Sequence, residues 1–129
     1  MSLKKQMFEF LLNYVVNNDL DPYILVVADR VGLDDLHNVE NTILLNISGR
    51  SVRNFVVSDD GISFSATFSG VQRTVEVLWE NLLTLNGTKN KEVKFAFVFK
   101  MFLDTTLFLK LPEILEIKGK RYKHLTVIK

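Results

Sequence analysis

The sequence predicts a small, mainly β domain opened by one N-terminal helix, and three observations carry that reading. Apolar residues near the start repeat at helical spacing, several short alternating runs follow, and those runs are separated by turn dipeptides. A length of 129 residues suits one domain with room for a tail.

Met7, Phe10, Leu11 and Tyr14 fall three or four residues apart, and Phe8, Leu12, Val15 and Val16 repeat the pattern on a neighbouring face. A helix apolar over so much of its circumference needs cover on two sides, either deep in one domain or shared with a second subunit. Asn17-Asn18-Asp19 followed by Pro22 ends it. Strands are expected at Tyr23 to Ala28, Thr42 to Ile47 and Ser51 to Val57. Asp60-Gly61 supplies the positive φ of a tight hairpin turn, after which Ile62, Phe64, Ala66 and Phe68 alternate with polar residues. Ser69-Gly70 makes a second turn, and Val71, Arg73, Val75 and Val77 alternate again. Short strands joined by tight turns imply an antiparallel meander in a small barrel or sandwich. Leu78 to Leu85 reads as a short helix, and Asn86 to Asn90 as a domain boundary.

Composition excludes more chemistry than it supports. The chain has no cysteine, which removes disulfides, zinc–thiolate sites and thiol catalysis and fits a reducing cytoplasm. His37 and His124 are far apart, and Asp34, Asp35, His37 and Glu40 read as a solvated loop rather than a metal site. No phosphate-cradling loop or nucleophile elbow is present, and Asp59-Asp60 lies in an exposed turn. The expectation is therefore a non-enzyme with no cofactor. The most hydrophobic stretch, Val93 to Leu111, carries Lys94, Lys100, Asp104 and Lys110, too many charges for a membrane span, and no secretory signal is expected. Charge is split: net −4 up to Asn90 and net +5 from Lys91 onward, leaving the overall +1.

Two stretches bring a family into view. Thr42-Ile-Leu-Leu-Asn-Ile-Ser-Gly-Arg-Ser-Val-Arg-Asn54 with Gly61-Ile-Ser-Phe-Ser-Ala-Thr-Phe-Ser-Gly-Val-Gln-Arg-Thr-Val75 resembles the SspB (stringent starvation protein B) family of bacterial proteolysis adaptors. The segment Asn17 to Val27 looks like that family's opening, and Leu125-Thr-Val-Ile-Lys129 is similar to its short tail for docking on the unfoldase ClpX. The resemblance implies a small Sm-like, two-layered β-barrel or sandwich that dimerises through its N-terminal helix. It implies capture of proteins bearing the ssrA degradation tag, added on stalled ribosomes, and their transfer to the ClpXP protease.

By this resemblance, Ile47, Ser48, Arg50, Val52, Ala66, Phe68, Ser69 and Gly70 would form the tag groove. Arg50 would meet the acidic tag, Ala66 would leave room for it, and Phe68 would wall a pocket. Leu125, Val127, Ile128 and Lys129 would dock on ClpX, and Phe8, Leu11, Leu12 and Val15 would form the dimer interface. The implied organisation is residues 1–88 for tag binding and dimerisation, 89–123 for a linker and 124–129 for the docking tail. The sequence departs from the family in that linker, which is basic and aromatic rather than acidic and proline-rich, so part of Phe95 to Ile117 is expected to be ordered. Gly49 and Gln72 stand where the family usually has prolines. The alternative is an Sm-like nucleic-acid-binding module using the basic run Lys118 to Lys123.

Overall fold

The computed structural model describes residues 3–99; the expectations placed on 100–129, including the docking residues Leu125, Val127, Ile128 and Lys129, lie outside the described residues. Helix α1 (Leu3–Asn17) leads into strands β1 (Asp21–Val27), β2 (Thr42–Asn46), β3 (Val52–Val57), β4 (Gly61–Phe68), β5 (Val71–Leu78), β6 (Leu82–Lys89) and β7 (Glu92–Val98). They form two antiparallel sheets in the orders β2-β1-β6-β7 and β3-β4-β5. This is a helix-capped sandwich whose sheets do not join into a closed barrel. Ile24, Val26, Leu82 and Leu85 of the first sheet share one core with Ile62, Phe64, Val75 and Val77 of the second.

Helix α1 ends in a Schellman cap. Asp19 takes a left-handed φ of 58°, Leu20 N donates to Val15 O at 3.0 Å, and Asp19 N donates to Val16 O at 3.1 Å. The cap drops Leu20 and Val15 onto β6 at Gly87, where a Cβ would stand 2.9 Å from Leu20 Cδ1 and 3.2 Å from Val15 Cγ1. Asn86-Gly87 is thus strand interior, a glycine kept small by the helix above it, and not a domain boundary. The chain turns instead at Asn90-Lys91, both with positive φ, and β7 pairs with β6 from Lys89↔Glu92 to Thr84↔Val98.

The expected helix at Leu78 to Leu85 is replaced by a 3-10 turn at Trp79–Asn81 and then β6. Trp79 is held there by its ring, whose Nε1 donates to Ser58 O at 3.2 Å, and by Phe8, 5.5 Å away between centroids. The Asp60-Gly61 turn also differs from expectation. Asp59 and Asp60 keep negative φ, the Ser58 hydroxyl and N–H both donate to Gly61 O, and Gly61 is nearly extended at φ 159°. Glycine is needed there for space, since a Cβ would sit 2.0 Å from Val77 O. Ser69-Gly70 is a two-residue hairpin with positive φ at both positions, as the sequence predicts.

Which helix face points inward was not decidable from a pattern apolar all round. Phe8 and Val15 are fully buried in the chain's own core, so they are not available to a dimer interface; Leu11 and Leu12 are half-buried against that core. The outward apolar residues are Leu3, Phe10, Tyr14 and Val16, with Phe10 71 % exposed, while Met7 is half-buried against the core.

Lys4 is buried in the first turn of α1. Its Nζ donates to Trp79 O and, at 2.8 Å, to Leu82 O, and lies 5.7 Å from the centre of the Phe99 ring. Burial lowers its pKa from the ordinary 10.5 to about 8, opposed by the nearby Glu80 carboxylate. The folded state therefore releases this proton before the unfolded chain does. Between pH 8 and 10.5 the unfolded chain binds more protons, and stability contributed at this site rises with pH. Chemical denaturation across that window should give the native chain a steeper upward slope with pH than Lys4→Met, which lacks the titrating group; equal slopes would refute the assignment.

Candidate functional site

The chain passes from the first sheet to the second between β2 and β3, which no hydrogen-bonded ladder joins. Ile47 N still donates to Pro22 O at 2.9 Å, extending the first sheet. The chain then reverses in a turn in which Ser51 N donates to Ser48 O at 2.9 Å and Val52 N to the same oxygen at 3.2 Å. Asn46 Oδ1 accepts from Ser48 N at 2.9 Å, fixing the start of the bend. β3 begins only at Val52, opposite Ala66, so Thr67 and Phe68 extend beyond its reach. The end of β4 and the outer edge of β2 thus face each other across an open seam.

Three cavities meet at this corner. A seam pocket of about 200 Å³ lies between Leu44–Asn46 on β2 and Phe64, Ala66 and Phe68 on β4. A polar cavity of about 570 Å³ lies on the outer side of β3 and β4, over Ser65, Ala66 and Thr67 and beneath Arg50 and Arg53. Ala66, Thr67 and Ser51 line both, so the two are adjacent. The third, about 580 Å³ and more apolar, lies under the C-terminal end of α1, between Leu12, Val16 and Leu20 and the turn residues Ile47, Gly49 and Phe55. Arg50 borders the polar and the apolar cavities, and its guanidinium is 2.9 Å from Asp21.

The structure gathers most of the expected groove residues here and changes their roles. Ile47 and Val52 are core residues that show one edge to the apolar cavity, and Ser48 is a buried turn residue beside it. Arg50 stands at the lip, Ala66 lies on the seam, and Phe68 walls the seam pocket. Ser69 and Gly70, at the tip of the β4–β5 hairpin, line none of the three cavities. Arg53, Asn54, Leu44 and Leu20 line the site without having been singled out from the sequence, as does Gln72, marked there only as a departure from the family's proline. The signal for Arg53 and Asn54 was two consecutive polar residues inside an alternating strand, the mark of a bulge.

Elsewhere, Arg73 holds Asp35 through two bonds, Nη1–Oδ1 at 2.8 Å and Nη2–Oδ2 at 2.5 Å, keeping that carboxyl below its usual range. This pair fastens the loop after Val31 to β5 and commits the Asp35 carboxylate to structure. No helix among the described residues is long and apolar enough to cross a membrane.

No curated protein matches the chain. The sequence model of one family, described as Stringent starvation protein B, matches residues 2–106, a span that takes in both sheets, the helix and the open seam. With well over half its length matched, the chain belongs to the SspB family.

Proposed function

We propose that this chain is a non-catalytic adaptor that binds the ssrA degradation tag in extended form along the β2–β4 seam and delivers the tagged protein to ClpXP. Membership of the SspB family points to a proteolysis adaptor. The observation that carries the finer reading is the seam itself. Two strand edges face each other without bonding, and pockets lie on either side of Ala66. An extended peptide satisfies such edges with its own backbone and sends alternate side chains into the flanking pockets. Arg50, paired with Asp21, then shapes the lip, and the apolar cavity under α1 takes an apolar side chain. The segment Leu125 to Lys129 supplies the second attachment, to ClpX. Joining two attachments in one molecule raises effective affinity by about 10²–10⁴ where both engage together.

Dimerisation through α1 belongs to the same proposal, with a different set of residues. Leu3, Phe10 and Tyr14 lie seven and four residues apart, the spacing of a helix–helix seam, and face outward, with the half-buried Met7 between them. Tyr14 is braced by Phe95, 5.3 Å away between ring centres.

Fluorescence polarisation with a labelled ssrA peptide tests the groove. Ala66→Gln, which fills the wall shared by two cavities, should weaken binding at least ~10-fold at unchanged thermal stability; a side chain of this size costs a preformed site several contacts. Deleting Leu125 to Lys129 should leave tag binding intact and abolish accelerated degradation by ClpXP. Absence of tag binding by the wild-type chain at micromolar concentration would defeat the reading. Light scattering tests the helix: Phe10→Glu should convert a dimer to a monomer with tag affinity per chain unchanged, whereas an unaltered mass would remove α1 from the interface.

A further inference from the structure

The polar cavity beside the seam has a charge that the rest of the site does not explain. Arg50 and Arg53 both border it and no carboxylate does. Arg50 is already engaged by Asp21. Arg53 is exposed, and among the described residues no carboxylate pairs with it. A free guanidinium over a pocket of this size, in a segment of net −4 charge, is a local exception to its surroundings.

Backbone geometry fixes where that guanidinium stands. Arg53 pairs with Ser65, and the next pair is Val56 with Ser63, so Asn54 and Phe55 together oppose Phe64. Asn54 absorbs this bulge with a φ of 55°. The bulge lets Phe55 turn inward onto Phe64, with ring centres 6.0 Å apart, while Arg53 and Asn54 are both left outside. On that outer face Arg53 lies across from Ser65, and Thr67 across from Gln72. Hydroxyls and an amide therefore floor the cavity under the cation. That is a donor-rich setting for a carboxylate.

We propose that Arg53 is a specificity-determining residue of the peptide groove, receiving the carboxylate side chain of an acidic residue in the bound segment. The proposal deepens the adaptor reading and rests on it. Two features favour a peptide over RNA as the source of the anion. No aromatic ring lines the polar cavity for a base to stack on, and the adjoining seam offers strand edges. Position within the groove follows: Ala66 and Ser51 are common to the seam pocket and the polar cavity, so the acidic side chain is next to the one directed at Ala66.

The test compares the ssrA peptide with an analogue in which every carboxylate side chain is replaced by its amide, on the full chain. The wild-type chain should prefer the acidic peptide by ~3–10-fold, the range of one partly exposed, charge-assisted contact. Arg53→Gln should remove most of that preference by weakening the acidic peptide alone, leaving affinity for the amide analogue unchanged. Arg53→Lys should retain part of it. Equal loss for both peptides, or no loss for either, would overturn the assignment of Arg53 while leaving the adaptor reading in place. So would displacement of the acidic peptide by polyuridylate at comparable concentration, which would mark a general polyanion site. Failure of the wild-type chain to bind either peptide would overturn the adaptor reading and this assignment together.

Discussion

The site depends on one geometric constraint: β2 and β3 are consecutive strands that end up in different sheets. The Ser48–Ser51 turn carries the chain between them within four residues, held by two backbone bonds onto Ser48 O. Because the turn is short, β2 and the end of β4 are brought close. Because it changes sheet, their edges cannot pair. Unpaired edges are usually covered or charged to prevent aggregation. Here they are kept short: β2 has five residues, and β4 runs only two residues past its last β3 partner. The opening is therefore short and not an extended template.

Electrostatics divides this opening into zones. The cavity under α1 is bordered by Asp19 and Asp21 against the single cation Arg50, so its border is net acidic. The outer cavity has only cations at its border. Arg50 lies between them, paired to Asp21 in the free protein. A bound carboxylate competing for Arg50 must displace Asp21, whereas one reaching Arg53 displaces only water. That difference is what favours Arg53 over Arg50 in the proposed selection of acidic peptides.

Much of the fold was legible because local chemistry and tertiary structure agreed there. Alternation in β4 and β5, Ser69-Gly70 at their hairpin, and the Asn17–Asp19 stop of α1 all read correctly. The failures have a common cause, which is a residue chosen for a distant neighbour. Asn86-Gly87 looks like a turn, yet Gly87 is small because Leu20 and Val15 press on it. Gly61 reads as a positive-φ turn residue, yet it is set by the approach of Val77 O. Leu78 to Leu85 has helical apolar spacing, but Trp79 is claimed by Phe8 and Ser58. Phe8 and Val15 could not be told from Phe10 and Tyr14, because periodicity says which residues share a face and not which face is inside. At the site, Ala66 and Arg50 came from family resemblance, whereas Arg53 left only a pair of consecutive polar residues in the sequence, and the register of the β3 bulge gave it a place.

The same helix that borders the groove also fixes where the rest of the chain leaves. Phe99 N donates to Leu83 O at 2.8 Å, and its ring packs on Phe8 and Phe97 and beneath the Lys4 ammonium, all at the N-terminal end of α1. The apolar cavity sits at the other end, under Leu12, Val16 and Leu20. Lys4 and Phe8 lie about eight residues before Leu12 and Val16, so at a rise of about 1.5 Å per residue the two are about 12 Å apart along the helix. Chain continuing past Phe99 thus starts away from the groove and need not cross the bound peptide. Burying a lysine with two carbonyls and a ring to hold this exit is costly by itself. It is intelligible as a way of fixing where the described chain ends, with Phe99 held against the N-terminal half of α1 and the apolar cavity under its other end.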